Sequence, residues 1–244
     1  MNPIVKYILY GFQFVFLSWI IIGLSNYISI FYALIITIFA SYIIPHMISY
    51  AFRTHESKSL PDLDNLKLFS NRLSKEHNIN KVEIHVSNEN SGKVQYNYKK
   101  LHQVYIPNEA NPYSEGIESK AVIAHELSHI IHKDRTVYGI SRSILILMSG
   151  LSLYIVQSYM GIFNIILTSV LILIIVPSIL NYIVHEFEYR ADKFAVANTS
   201  KRAVSIRLRK NQKYLNDSWY RKLYPYVMPH PPVEQRLSKI YDLD

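Results

Sequence analysis

The chain has 244 residues, 26 Lys plus Arg against 18 Asp plus Glu for a net charge of +8, and no cysteine. That length allows one or two compact units, and the missing cysteines exclude a disulfide framework, a thiolate nucleophile and a Cys-based zinc site. The positive charge is not gathered into a basic block with interleaved aromatics, and no nucleic-acid reader motif accompanies it, so nucleic acid is not the expected partner.

From Tyr7 to Phe52 there is no Lys, Arg, Asp or Glu. The tract has room for two spans of about 20 residues each, expected at Ile4–Leu24 and Tyr27–Ile44 with a turn at Ser25-Asn26. It is too long for a cleaved signal peptide, lacks a small-x-small cleavage site and leads straight into a second span.

The next polar stretch opens with "LPDLDNLKLFSNRLSKEHNI", whose apolar residues Leu63, Leu66, Phe69 and Leu73 fall at helical spacing. "KVEIHV" and "LHQVYIP" alternate as strands do, with turn-like "SNENSG" between them. The strand around Val104–Ile106 is expected to pair with an extended substrate by strand addition. "SEGIESKAVIAHELSHIIHKD" follows as one helix, opened by Ser114 or Ser119. Within it His125 and His129 are four apart and share a helical face. They can present two imidazoles to one metal ion, with Glu126 beside them to polarise a water, which is the H-E-x-x-H arrangement of zinc hydrolases.

A catalytic zinc takes three protein ligands and keeps one open position. His132 lies seven residues beyond His125, a rise of about 10 Å, too far for all three rings to converge. His132 and Arg135 occupy the places where a metzincin would carry its Gly and its late His, which excludes that class. The third ligand must come from elsewhere in the chain.

A second uncharged tract runs from Ser143 to Val184. It predicts spans at Ile140–Gln157 and Ile162–Val184, turning near Tyr159–Gly161. Core helices of soluble proteins carry a polar face, and these do not. Every Lys and Arg lies at Lys6, between Arg53 and Arg142, or after Val184. The positive-inside rule therefore puts the N-terminus, the middle segment and the C-terminal segment in the cytoplasm.

After the fourth span, "HEFEYRADKFAVAN" continues the helix, "KRAVSIRLRKNQKYL" forms a basic helix, and "PYVMPHPPVEQRLSKIY" is a Pro-broken loop leading to a last short helix. Candidates for the third ligand are His185, Glu186, Glu188 and Asp192. Glu188 and Asp192, four apart, can both face the first helix, one as ligand and the other orienting an imidazole from behind. Spacing alone leaves His185 and Glu186 open.

HELSH, then a membrane hairpin, then E-Y-R-A-D at 188–192, then H-P-P-V-E-Q-R at 230–236 resembles the M48 family of membrane zinc metallopeptidases, which includes the HtpX heat-shock protease and the CAAX prenyl proteases. The resemblance spans about residues 60–240 and follows the HtpX order of spans. It implies Glu188 as third zinc ligand, His230 as donor to the oxyanion of the tetrahedral intermediate, and Arg236 as a brace. Where the family often has an Asn-Ala-x-x-x-Gly stretch before its edge strand, this chain has only Asn88, Asn90 and Gly92. The short chain argues against the enlarged chamber of the prenyl-protease branch.

The expected protein is mainly α and integral to the membrane. It has four transmembrane helices and a cytoplasmic zincin-like α+β metallopeptidase domain with a small β-sheet. The expected organisation is a transmembrane hairpin over 1–52, the first half of the catalytic domain over 53–139, a second hairpin over 140–184 and the second half over 185–244. The expected site holds one Zn2+ per chain on His125, His129 and Glu188, with Glu126, His230 and Arg236 catalytic and Asp192 behind the ligands. Its partners are the lipid bilayer and protein or peptide substrates. The expected activity is endopeptidase cleavage of cytoplasmic parts of membrane proteins for quality control, at a plasma membrane. The alternatives are a dedicated processor of a lipidated or signalling peptide, and a non-catalytic zinc-containing scaffold.

Overall fold

The computed structural model describes residues 3–25, 28–29, 32–33, 35–36, 63–79, 82–87, 93–97, 101–107, 117–212 and 230–242. Among them the elements run α1 (Pro3–Ser25), α2 (Leu63–Glu76), β1 (Val82–Ser87), β2 (Lys93–Asn97), β3 (Leu101–Pro107), α3 (Ile117–Ile131), α4 (Asp134–Tyr159), α5 (Ile162–Asn198), α6 (Lys201–Gln212) and α7 (Val233–Tyr241). The chain divides into two compact units. One comprises Met1–Arg53, Thr136–Val184 and Leu223–His230; the other comprises Thr54–Arg135, His185–Lys222 and Pro231–Asp244.

The first unit is built from α1 and the uncharged parts of α4 and α5. Phe14, Leu17 and Ile21 of α1 pack with Ile146, Leu153, Ile172 and Val176. Two glycines set the approach of these helices. A Cβ at Gly150 would lie 2.3 Å from Ile21 Cδ1, and one at Gly11 would lie 2.6 Å from the carbonyl oxygen of Leu173. That carbonyl is special, because Pro177, four residues on inside α5, has no N–H to give it. The rest of the surface is apolar and turned outward: Ile144, Met148, Ile155, Phe163, Ile166 and Val170 are exposed. Ser149, Ser152 and Ser178 donate to the carbonyls of Leu145, Met148 and Ile174 on their own helices, which satisfies hydroxyls that have no water to meet in an apolar medium. Among the described residues two helices, α4 and α5, are long and apolar enough to cross a membrane, and their outward apolar faces are those of a membrane protein. The expected span Tyr27–Ile44 falls largely outside the described residues.

The second unit holds a three-stranded sheet in the order β1-β3-β2. β1 pairs parallel with β3, and β2 pairs antiparallel with it, so that Val104 faces Ile84 on one side and Val94 on the other. Val82, Ile84 and Val104 are buried against Leu66, Phe69 and Leu73 of α2 and against Ala121, Ala124 and Leu127 of α3. Two expectations change here. β3 is the central strand, with both backbone edges occupied along Val104–Tyr105, so an extended substrate cannot pair there; among the described residues the outer edges of the sheet are those of β1 and β2. "KVQYN", read as part of no element, is the strand β2.

The helix that carries the two histidines is also shorter than its sequence suggests. It ends at Ile131, Lys133 takes a left-handed conformation at φ 54°, and a new helix begins at Asp134. A left-handed residue just past the last turn is a common way to stop a helix. Neither Gly nor Pro marks the position, which is why the sequence pattern runs through it.

Candidate metal centre

Apart from His230, which falls in the first unit, the groups of this centre belong to the second unit. α3 is anchored by its apolar residues Ile123, Ala124 and Leu127, each fully buried. That anchoring turns the His125–His129 face toward the C-terminal part of α5, where Ala191 and Ala195 are buried and Glu188 and Asp192 lie on the adjoining strip. His125, Glu126, Glu188 and Asp192 are all buried.

Three side chains converge. His125 Nε2 and His129 Nε2 are 3.3 Å apart, and Glu188 reaches them with Oε2 at 3.4 Å and Oε1 at 3.6 Å. Among the described residues this is the group of His and carboxylate donors close enough to hold a metal ion. Bonds of about 2.0–2.1 Å in a tetrahedron place ligand atoms roughly 3.3 Å apart, so the observed separations are those a tetrahedral ion needs.

The other ring nitrogens explain why the site wants a cation. His125 Nδ1–H donates to Asp192 Oδ1 at 3.0 Å, and His129 Nδ1–H donates to Asp134 Oδ2 at 2.7 Å. A carboxylate can only accept, so each ring is fixed with its proton outward and its Nε2 lone pair inward. Two lone pairs and a carboxylate then face one another, an arrangement that is repulsive until a positive charge sits between them. Burial alone would lower the His129 pKa; the hydrogen bond it donates to Asp134 and the charges of Glu188 and Glu126 outweigh it and hold the imidazole above its usual range.

The carboxylates are braced in turn. Arg236 from α7 donates through Nε to Asp192 Oδ2 and through Nη2 to Asp192 Oδ1, both at 2.6 Å, and its Nη1 lies 2.9 Å from Glu188 Oε2. Burial would raise the Asp192 carboxyl, but Arg236 and His125 hold it at about 2. Arg236 is thus a positioning residue that touches two carboxylates from behind. Asp134 is held by Arg190, whose guanidinium lies over the Phe187 ring. Glu126 Oε1 has Arg207 Nη2 at 3.6 Å.

Of the residues expected at the site, His125, His129 and Glu188 come together, with Asp192 and Arg236 behind them and Glu126 adjoining. His185 is buried and Glu186 exposed, and neither is in the donor group. His132 donates to the Ser128 carbonyl of its own helix at 2.8 Å. His230 is exposed just before α7. Three contributors went unread in the sequence: Asp134, Arg190 and Arg207. Arg207 left a trace, since a charged residue flanked by the inward positions Ala203, Val204 and Leu208 is out of place on an apolar face.

A family model described as Peptidase family M48 matches residues 110–244, a region that contains every residue of this centre. The chain belongs to peptidase family M48. Its fold is also that of a solved structure, the crystal structure of S. mikatae Ste24p, with a TM-score of 0.59 at 17% identity. That match covers 98% of this chain and 62% of the other, so the M48 chain described here spans less than two thirds of Ste24p. No curated protein sequence matches it.

Proposed function

We propose that this M48 chain is a multi-pass membrane zinc endopeptidase that cuts cytoplasmic segments of membrane proteins, in the service of quality control. The observation that carries the reading is the donor triangle of His125, His129 and Glu188, at tetrahedral spacing, with each imidazole locked from behind by its own carboxylate. Two imidazoles and a carboxylate suit zinc, which when bound there supplies Lewis-acid polarisation of a carbonyl oxygen and of a water.

The chain's own residues do the rest. Glu126 accepts a proton from the attacking water as its oxygen bonds to the peptide carbon. It returns that proton to the amine nitrogen as the C–N bond breaks, so one water is consumed and an acid and an amine leave. His230, by resemblance to the family, donates to the oxygen that gains negative charge. Asp192, Asp134 and Arg236 keep the ligands still. The charge distribution supports a cytoplasmic site, since basic residues lie beyond both ends of each uncharged tract and none lies at the expected hairpin turns.

The test is cleavage of denatured casein by the detergent-purified chain with zinc restored, beside Glu126→Gln. Fragments from the wild type alone support the reading. Absence of cleavage by either, although both retain one zinc, overturns general proteolysis and favours a single-substrate processor or a scaffold.

A further inference from the structure

Two arginines stand beside the donor group, Arg236 buried and Arg207 nearly so, and their situations differ. Arg236 is saturated: three of its nitrogens lie on Asp192 and Glu188, and these carboxylates outweigh burial to raise its pKa above the usual range. Arg207, from α6, is not. Its side chain is 11% exposed, and its Nη2 is 3.6 Å from Glu126 Oε1, beyond hydrogen-bond reach. Its Nη1 is buried with no hydrogen-bond partner among the described residues. Burial lowers its pKa, and Glu126 and the more distant Asp192 and Glu188 do not offset that.

A core-filling role does not explain this side chain. Ala203, Val204 and Leu208 beside it are fully buried apolar residues, and an apolar residue would fill the same place without stranding a donor. The charges point elsewhere. Among the described residues, the ion pairs around the donor group engage three guanidinium groups (Arg190, Arg207 and Arg236) and four carboxylates (Glu126, Asp134, Glu188 and Asp192). A divalent ion turns that deficit of one positive charge into a surplus of one. Arg190 Nε and Arg207 Nη1 are both buried without a hydrogen-bond partner among the described residues, and of these two guanidiniums it is Arg207 that stands beside the proposed base.

We infer that Arg207 is a specificity-determining residue of the peptidase site: its guanidinium takes a carboxylate oxygen of the substrate, one or two residues from the bond that is cut. The inference rests on the peptidase reading above. The spacing follows from Glu126, which must reach the attacking water at the cut bond. An acceptor for Arg207 Nη1 then lies within a few ångströms of that bond, and an extended peptide advances about 3.3–3.6 Å per residue. Guanidinium recognises carboxylate by charge-assisted, paired hydrogen bonds, so the amide twin of such a substrate leaves the buried donor unmet.

The experiment takes a casein-derived peptide that the zinc-loaded full chain cleaves. Twins with Glu or Gln are made at each of the two positions on either side of the cut. At one position the wild type is expected to prefer Glu by about tenfold or more in kcat/KM, chiefly through KM. The ratio should collapse toward one in Arg207→Met and be partly kept in Arg207→Lys, with bound zinc measured in each protein. Equal treatment of the twins by the wild type at all four positions overturns the proposal, as does a ratio that survives in Arg207→Met. If Arg207→Met does not retain zinc, the wild-type twins and Arg207→Lys decide. If the wild type cleaves nothing, the peptidase reading fails, and equilibrium binding of the twins to the zinc-loaded wild type decides for Arg207: tighter binding of Glu keeps it, equal binding overturns it.

Discussion

At the donor group every polar atom with a metal-facing partner is held by a second side chain, and removing each support should have its own signature. Glu126 lies next to a donor but outside the triangle, so Glu126→Gln is expected to keep bound zinc while casein cleavage falls at least about 100-fold. Asp192→Asn leaves the His125 ring free to change tautomer, and zinc affinity measured by chelator competition should weaken about 10–100-fold. The same carboxylate carries an acid dependence. Its ordinary pKa of 3.8 is lowered to about 2 in the folded chain, so its contribution is present above the higher value and lost as pH falls through the lower. The stability gap between wild type and Asp192→Asn, from denaturant unfolding, should shrink by about 2 kcal/mol between pH 5 and pH 2. The two histidines and the glutamate between them were legible because a four-residue step is a local property of a helix. Asp134 and Arg207 were not, because their partners lie across a helix end and across two helices, and no pattern along the chain encodes such a contact.

Elements place these residues through their ends and their small positions. The left-handed Lys133 ends α3 directly beyond the histidines and makes Asp134 the first residue of α4, within reach of His129. Glycine adopts that conformation without strain, whereas a β-branched side chain resists it. Lys133→Val should therefore lower thermal stability by about 1–2 kcal/mol and loosen zinc together with it, while Lys133→Gly should do neither. In the apolar unit, Gly11 lets the backbone of α1 reach the Leu173 carbonyl that Pro177 leaves without its helical donor. A methyl at that position meets backbone that cannot step aside, so Gly11→Ala is expected to cost about 1–3 kcal/mol in thermal unfolding in detergent. Helices with strong periodicity or long apolar runs appear within a few residues of where their patterns place them. The sheet was harder to read. Strand order depends on pairings between distant segments, and "KVQYN" is too short and too polar to declare itself, so the strand expected at an edge is the one in the middle.

The whole molecule carries its candidate metal site in one compact unit assembled from chain on both sides of the apolar parts of the helices α4 and α5. Binding an ion there adds its free energy to that of folding. Stripping the metal with a chelator should lower the melting temperature of the detergent-purified protein by about 10 °C, and added zinc should restore it. The site's residues also come in a fixed order along the chain. His125 and His129 precede this apolar stretch; Glu188, Asp192 and Arg207 follow it; Arg236 comes within the last helix. A growing polypeptide therefore holds two imidazoles long before it holds their carboxylate partner, and it gains the Arg236 brace later still. A nascent chain that has not yet reached Glu188 is expected to be inert, and the donor group can close only after residues 143–184 have been made. On the proposed peptidase reading, birth order itself thus acts as a safety catch, keeping a half-made site from attacking its neighbours where the chain is produced.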